Sequence, residues 1–300
     1  MPAKTEEIEW PTLALLAATY LVWALGTLAW HESSLLFLIL TGLAVAQFSS
    51  LQHEALHGHP FRNPVLNEAL VFPALAVFVP YRRFRYTHLQ HHYDPALTDP
   101  YDDPESNFFI PEVWARMSMP VQALLRLNNT LLGRVLIGPF IGTYAFIYTD
   151  LLLIRRGDRG VLSAWILHLL GLVPVLLWLH WAGVPFLAYL GAVYVGVAVL
   201  KIRTFLEHRA HEAFRARTVI VEDRGPLSLL FLNNNFHVVH HIHPSVPWYK
   251  IPGLYEDHKA HYQRRNDGYV YKSYAEIIGR YLIRAKDPVP HPVWPVRHQD

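Results

Sequence analysis

The sequence predicts an all-α integral membrane protein with about four transmembrane helices in two hairpins. Interfacial helices and a cytoplasmic histidine-rich helical cap complete the expected architecture. Three observations carry this. Hydrophobic residues make up 52% of the 300-residue chain and charged ones only 17%, against about 25% charged in an ordinary soluble domain. Mean hydropathy is +0.15 although the last third is polar, so the apolar residues are concentrated elsewhere. The 19 histidines fall mostly in short clusters.

Four segments are long and apolar enough to cross a bilayer, at about residues 11–30, 35–51, 161–181 and 184–200. Leu66–Val79 contains Pro73, is followed by Pro80, and is too short for a crossing; it reads as a shallow or interfacial element. Val135–Ile154 contains Gly138, Pro139, Gly142 and Asp150 and reads as a bent interfacial helix. The connections His31–Ser34 and Ala182–Gly183 carry no Lys or Arg. The opposite face carries Arg82, Arg83, Arg85, Arg155, Arg156, Arg159, Lys201 and Arg203. By the positive-inside rule that face is cytoplasmic, with both termini and the segments at about 82–134 and 201–300. Met1–Glu9 is acidic and has no basic start, which argues against a cleaved signal peptide. No solenoid-length repeat occurs, so residues 1–300 read as a single integral domain.

The chain has no cysteine, which excludes a disulfide scaffold, a thiolate metal site and a cysteine nucleophile. A net charge of +2 without a basic tract excludes a nucleic-acid footprint. The histidine clusters are His53-Glu54-Ala55-Leu56-His57, His88-Leu89-Gln90-His91-His92 and His237-Val238-Val239-His240-His241. On a helix, positions i, i+3 and i+4 share a face, so each cluster aims its imidazoles at one point. From 19 histidines in 300 residues, about 0.08 H-x-x-H-H patterns arise by chance, yet the pattern occurs twice. The isolated His31, His168, His180, His258, His261, His291 and His298 read as packing or surface residues.

His53–His57 is formally H-E-x-x-H, in which two histidines hold zinc and Glu54 is the general base of a hydrolase. Such a site needs three protein ligands and an open position. It leaves the other two clusters without a role, so Glu54 reads better as a partner to an imidazole. A histidine-rich metal transporter is a third class, but it would place the ligands inside the spans. Without cysteine, soft-metal sites are disfavoured, while imidazole suits Fe, Zn, Cu and Ni. The number of clustered imidazoles exceeds what one ion accepts, so two ions are implied.

The three boxes, in this order and on one side of the membrane, resemble those of the membrane fatty acid desaturase and hydroxylase superfamily. The similarity spans about residues 45–255 and includes the flanking segments Asp99-Pro100 to Glu105-Ser106 and Asn233-Asn234-Asn235. The resemblance implies two iron ions (Fe2+/Fe3+) held by His53, His57, His88, His91, His92, His237, His240 and His241, with one isolated histidine between the last two boxes. His208 fits that role; His211, one turn on, is the rival. Thr204 stands where acyl-CoA desaturases carry an asparagine, and His59 and His243 are extra histidines that are not expected to be ligands. The implied activity is O2-dependent oxidation of an unactivated C–H bond, desaturating a fatty-acyl or related lipid chain. The same boxes serve lipid hydroxylases, carotenoid ketolases and hydroxylases, and alkene-forming fatty acid decarboxylases. Without cysteine or a haem-binding segment, electrons come from a separate ferredoxin, rubredoxin or cytochrome-type donor. The implied location is a bacterial inner membrane with a cytoplasmic active site. Carboxylates available to orient imidazoles are Glu54, Asp94, Glu207 and Glu212. The acidic run Asp99, Asp102, Asp103, Glu105 reads equally as ligand-orienting or as a solvated loop. Arg82-Arg83-Phe84-Arg85 reads as topology-setting, or as a binding site for lipid phosphate, an acyl carrier or an acidic donor.

Overall fold

The computed structural model describes residues 8–295. His298 and most of the acidic N-terminal run lie outside the described residues. Among those described, the chain is mostly helical, and Ile220–Val221 and Val270–Tyr271 form a small parallel strand pair. The chain divides into two compact units, one reaching Arg85 and including Gly142–Val199, the other Tyr86–Ile141 with Leu200 onward.

The first unit holds the spans. Helices long and apolar enough to cross a membrane run Trp10–His31, Ser34–Leu56, Arg159–Trp181 and Phe186–Thr204, the last ending in the second unit. Their starts follow local chemistry: Ser33 Oγ accepts from Leu36 N at 3.3 Å, and Asp158 Oδ1 accepts from Val161 N at 3.0 Å, capping orphan amides. The second span continues beyond the sequence expectation to Leu56, so His53 stands in its last turn. Leu169, Leu170, Val173 and Leu177 of the third span remain exposed, as expected of a lipid-facing stripe. Close approach of the second and fourth spans depends on missing side chains: a Cβ on Gly196 would lie 2.6 Å from Gly42 O. Polar groups inside the unit are paired. Trp23 Nε1 donates to the Tyr189 hydroxyl at 3.0 Å, which donates to Leu75 O at 2.8 Å. His31 and His168 are packing residues, bonded through Nε2 to Ala182 O and Val77 O at 2.7 and 2.5 Å.

Two sequence expectations change in detail. Between Leu66 and Val79, only the turns Pro64–Leu70 are helical, and the rest is irregular. Val135–Ile154 is not one bent helix. Leu131–Leu136 ends at Ile137, and a separate helix runs unbroken over Gly138–Arg155. Pro139 falls in that helix's first turn, where its missing N–H removes no bond.

Asp150, at first sight a flaw in an apolar helix, accepts from Arg83 Nε and Nη2 at 3.0 and 2.8 Å and from Trp165 Nε1 at 2.9 Å. Arg83 is therefore committed to a buried ion pair, and Arg82 bonds Glu68 at 2.6 Å. Removing one partner leaves an uncompensated charge, so Asp150→Ala should cost about 3–5 kcal/mol. The double variant Arg83→Met/Asp150→Leu should recover most of that. Thermal denaturation in detergent measures both; equal loss in the double variant would show that the pair is not the cause.

The second unit, called the cap after the sequence expectation, consists of short helices and ordered loops. Its core gathers Ile220, Phe236, Val239, Ile251, Tyr255 and Tyr262. The nearly inaccessible Arg217 donates to His211 O at 2.8 Å, Leu97 O at 2.8 Å and Pro95 O at 3.2 Å. One guanidinium thereby ties the loop after His92 to the loop after His208.

Candidate metal centre

Each histidine box sits where helical spacing concentrates it. The Tyr81–His91 helix carries His88 and His91 in its last turn, with His92 directly after. The His237–Ile242 helix carries His237, His240 and His241, all buried. His208 follows the fourth span, its backbone in an antiparallel bridge with Thr218.

In the second unit, His91, His208, His237 and His241 each bring one nitrogen within 4.8 Å of all the others. His208 Nε2 lies 2.9 Å from His91 Nε2 and 3.2 Å from His237 Nε2. A second convergence joins His88, His92 and His240, with His92 Nε2 at 2.9 Å from His88 Nε2 and 3.1 Å from His240 Nε2. Two nitrogens about 2.1 Å from a common ion at a right angle stand about 3 Å apart, so these spacings suit shared metals. His241 Nε2 is buried and has no hydrogen-bond partner. A buried nitrogen without a partner is costly unless something else binds its lone pair, and a metal ion does so. In the first unit, His53 and His57 form an edge-to-face pair with ring centroids 4.9 Å apart.

In four of these histidines the opposite ring nitrogen is fixed. Nδ1 of His88, His91 and His241 bonds Glu105, Asp103 and Asp94 at 3.0, 2.7 and 3.0 Å. Nδ1 of His237 bonds Asn234 Oδ1 at 2.9 Å. Since these oxygens accept, Nδ1 carries a proton and Nε2 is the nitrogen left to face a metal. The supports are themselves held. Asp103 accepts from Thr98 N and Glu105 N at 2.8 and 2.9 Å, Arg265 holds Asp94 at 3.2 Å, and Glu207, paired with Arg203 at 2.9 Å, accepts from Asn234 at 3.4 Å.

Electrostatics follow burial and these partners. Desolvation alone would depress the His91 pKa, but Glu105 and Asp103 outweigh it and raise it to about 9. Burial, reinforced by neighbouring imidazoles, holds His208 and His237 well below the usual value. For His241 burial also prevails, against the pull of Asp94. His208 and His237 are thus neutral donors, whereas His91 gives up a proton to bind metal.

His208, not His211, stands with the box histidines. His211 faces Asp267 at 3.5 Å instead. His59 bonds Glu9 at 2.7 Å, and His243 lies beside Tyr262. In the acidic run, Asp103 and Glu105 orient histidines, while Asp99 shapes the turn by accepting from Tyr101 N at 2.8 Å. Of the carboxylates singled out, Asp94 touches a box histidine directly and Glu207 acts through Asn234. Glu212 enters through its carbonyl, which accepts from Arg217 at 3.3 Å. The sequence reading assigned Asn234 no role; its signal is a position three residues before His237.

The chain belongs to the fatty acid desaturase family, whose model matches residues 30–273. It is an oxidoreductase of the membrane diiron type. A beta-carotene ketolase from a Paracoccus species is 28% identical over 226 residues, 72% of this chain and 76% of that protein.

Proposed function

We propose that the protein uses O2 to oxidise a C–H bond of a long apolar substrate in the membrane, with desaturation of a fatty-acyl or related lipid chain as its reaction. The observation that carries this is the pair of imidazole convergences, each aimed by fixed Nδ1 partners. His91, His208, His237 and His241 hold one iron, and His88, His92 and His240 contribute to the other; His53 and His57 are proposed as further iron ligands on the pattern of the first histidine box. The two irons supply O2 activation and the oxidising power to remove hydrogen from an unactivated C–H bond. The chain's own residues set ring tautomer and orientation, and Asp94, Asp103 and Glu105 counter the metal charge. Per desaturation, one O2, two electrons, two protons and two hydrogens of the substrate become two waters. The electrons come from a separate ferredoxin, rubredoxin or cytochrome-type protein on the cytoplasmic face, where the positive-inside rule places both termini. The Arg82–Arg85 cluster sets topology, with Arg83 committed to its ion pair.

The ketolase relative favours a second reading, oxygen insertion into a carotenoid ring. Expression in a host that makes both acyl lipids and β-carotene, grown under 18O2, separates them. New double bonds without label are expected from desaturation, and labelled carbonyls from ketolation. Neither product, with iron loaded and donor supplied, would remove both readings. Metal analysis of the purified protein should find iron, about two per chain; a single zinc with chelator-sensitive hydrolysis would instead support the His53-Glu54-His57 hydrolase.

A further inference from the structure

The cap has a surface built inside out. On the Met119–Asn128 helix, Gln122 and Asn128 are buried while Met119, Val121, Leu124 and Leu127 are exposed. Gln122 is satisfied inward, donating to Trp114 O and Met117 O at 3.2 and 3.1 Å. The next helix, Leu131–Leu136, repeats the inversion. Arg134 is buried, bonded to Asn128 O at 2.9 Å and Asn107 Oδ1 at 2.6 Å, while Leu132 is exposed. A helix in water turns its leucines inward and its arginine outward. Here Met119–Asn128 exposes Leu124 and Leu127, and Leu131–Leu136 buries Arg134.

The chain after Tyr274–Tyr281 extends this face. Leu132 N donates to Leu282 O at 2.9 Å and Lys286 N to Asn129 O at 3.2 Å, with Thr130 and Ala285 bridged. This brings the exposed Leu282 and Ile283 alongside. Exposed arginines border the face. No Asp or Glu occurs between Glu112 and Asp150, and Arg116, Arg126 and Arg284 are exposed. The Arg126 guanidinium sits 5.3 Å from the Trp114 ring centroid, a pairing suited to a membrane boundary.

We infer that this face, formed by Met119–Asn128, Leu131–Leu136 and the Leu282–Ile283 turn, is a membrane-binding surface of the cap that seats its leucines among lipid acyl chains and its arginines on anionic headgroups. It lies outside the four spans. Apolar area facing acyl chains supplies the attraction, and arginines near an anionic surface add to it. Arg134 and Asn107 then link the lipid-seated face to the loop that carries Glu105, the partner of His88.

The absence of cysteine makes the test direct, because every introduced cysteine is unique. Leu124→Cys and Ile283→Cys carry nitroxide labels in full-length protein reconstituted into phosphatidylcholine–phosphatidylglycerol vesicles. Asp257→Cys, exposed on the cap, serves as the aqueous control, and Leu169→Cys in the third span as the lipid control. Power saturation compares collisions with O2, which partitions into lipid, and with a water-soluble nickel chelate. Both face positions should resemble Leu169→Cys, with an O2-to-nickel ratio about threefold or more above Asp257→Cys. A ratio equal to that of Asp257→Cys would overturn the assignment. Shielding from both reagents with dipolar broadening between labels would also overturn it, showing a face shared by two copies. Unchanged iron content in each labelled variant verifies that the cap is folded.

Discussion

Replacing His241 with alanine should abolish turnover and lower bound iron from about two per chain toward one. His241 Nε2 is a buried nitrogen that lacks a hydrogen bond, and its other nitrogen is locked to Asp94. Alanine removes one of four converging imidazoles and leaves the Asp94–Arg265 pair facing a void. Loss of a ligand, rather than of a support, should reduce activity by more than the 10–100-fold typical of an outer partner. The matching change in the other group, His240→Ala, and the change His53→Ala in the membrane unit should behave alike. By contrast, His211→Ala should keep its iron. Iron analysis beside product yield reads all four, and full activity in His241→Ala would overturn the ligand assignment.

Asp103→Asn should lower iron affinity by about 10–100-fold while the protein stays folded. Asp103 uses both oxygens: Oδ1 faces His91 Nδ1 at 2.7 Å and Glu105 N at 2.9 Å, and Oδ2 accepts from Thr98 N at 2.8 Å. Asparagine keeps the shape but offers one acceptor oxygen. Its amide either confronts the Thr98 N–H or leaves His91 and Glu105 without an acceptor. The charge that favours a Nδ1 proton on His91 is also lost, so its ring is free to turn. Asp99→Asn, in the same loop, where Asp99 Oδ1 accepts from Tyr101 N and Asp102 N at 2.8 and 3.1 Å, is the control. Chelator competition measures the effect, and equal affinities in the two variants would refute the assigned role of Asp103.

The parts of this protein that follow from local periodicity were legible in its sequence. The spans are continuous apolar runs, and the boxes repeat at helical spacing, so their existence and their clustering needed no tertiary information. Partnerships between distant residues were not legible. Nothing near Asp150 indicates that Arg83, on another helix, neutralises it. Asp94, in the loop after His92, reaches forward to His241 in the third box, a pairing only the folded cap creates. The acidic run gave an even choice because Asp99, Asp102, Asp103 and Glu105 are chemically alike. The turn beginning at Thr98 separates them by pointing two of the four at imidazoles. Asn234 stood out only as part of the Asn233-Asn234-Asn235 segment and received no role, because a neutral amide carries no titratable signal. The inverted Met119–Asn128 helix was equally hidden, since periodicity shows that one side is apolar but not which side faces the protein.

The carboxylates behind the ligands also bear on redox poise. Glu105 and Asp94 are both held below the ordinary carboxylate range, Glu105 by His91 and His88 and Asp94 by His241 and Arg265, despite the opposing effect of burial. Together with Asp103 they set negative charge one residue behind the metal-facing nitrogens. Such charge stabilises the more highly charged, oxidised ion and lowers the reduction potential. With iron bound as proposed, such a setting would favour reduction of O2 and call for a strongly reducing donor. Replacing these carboxylates one at a time should therefore raise the iron's potential stepwise.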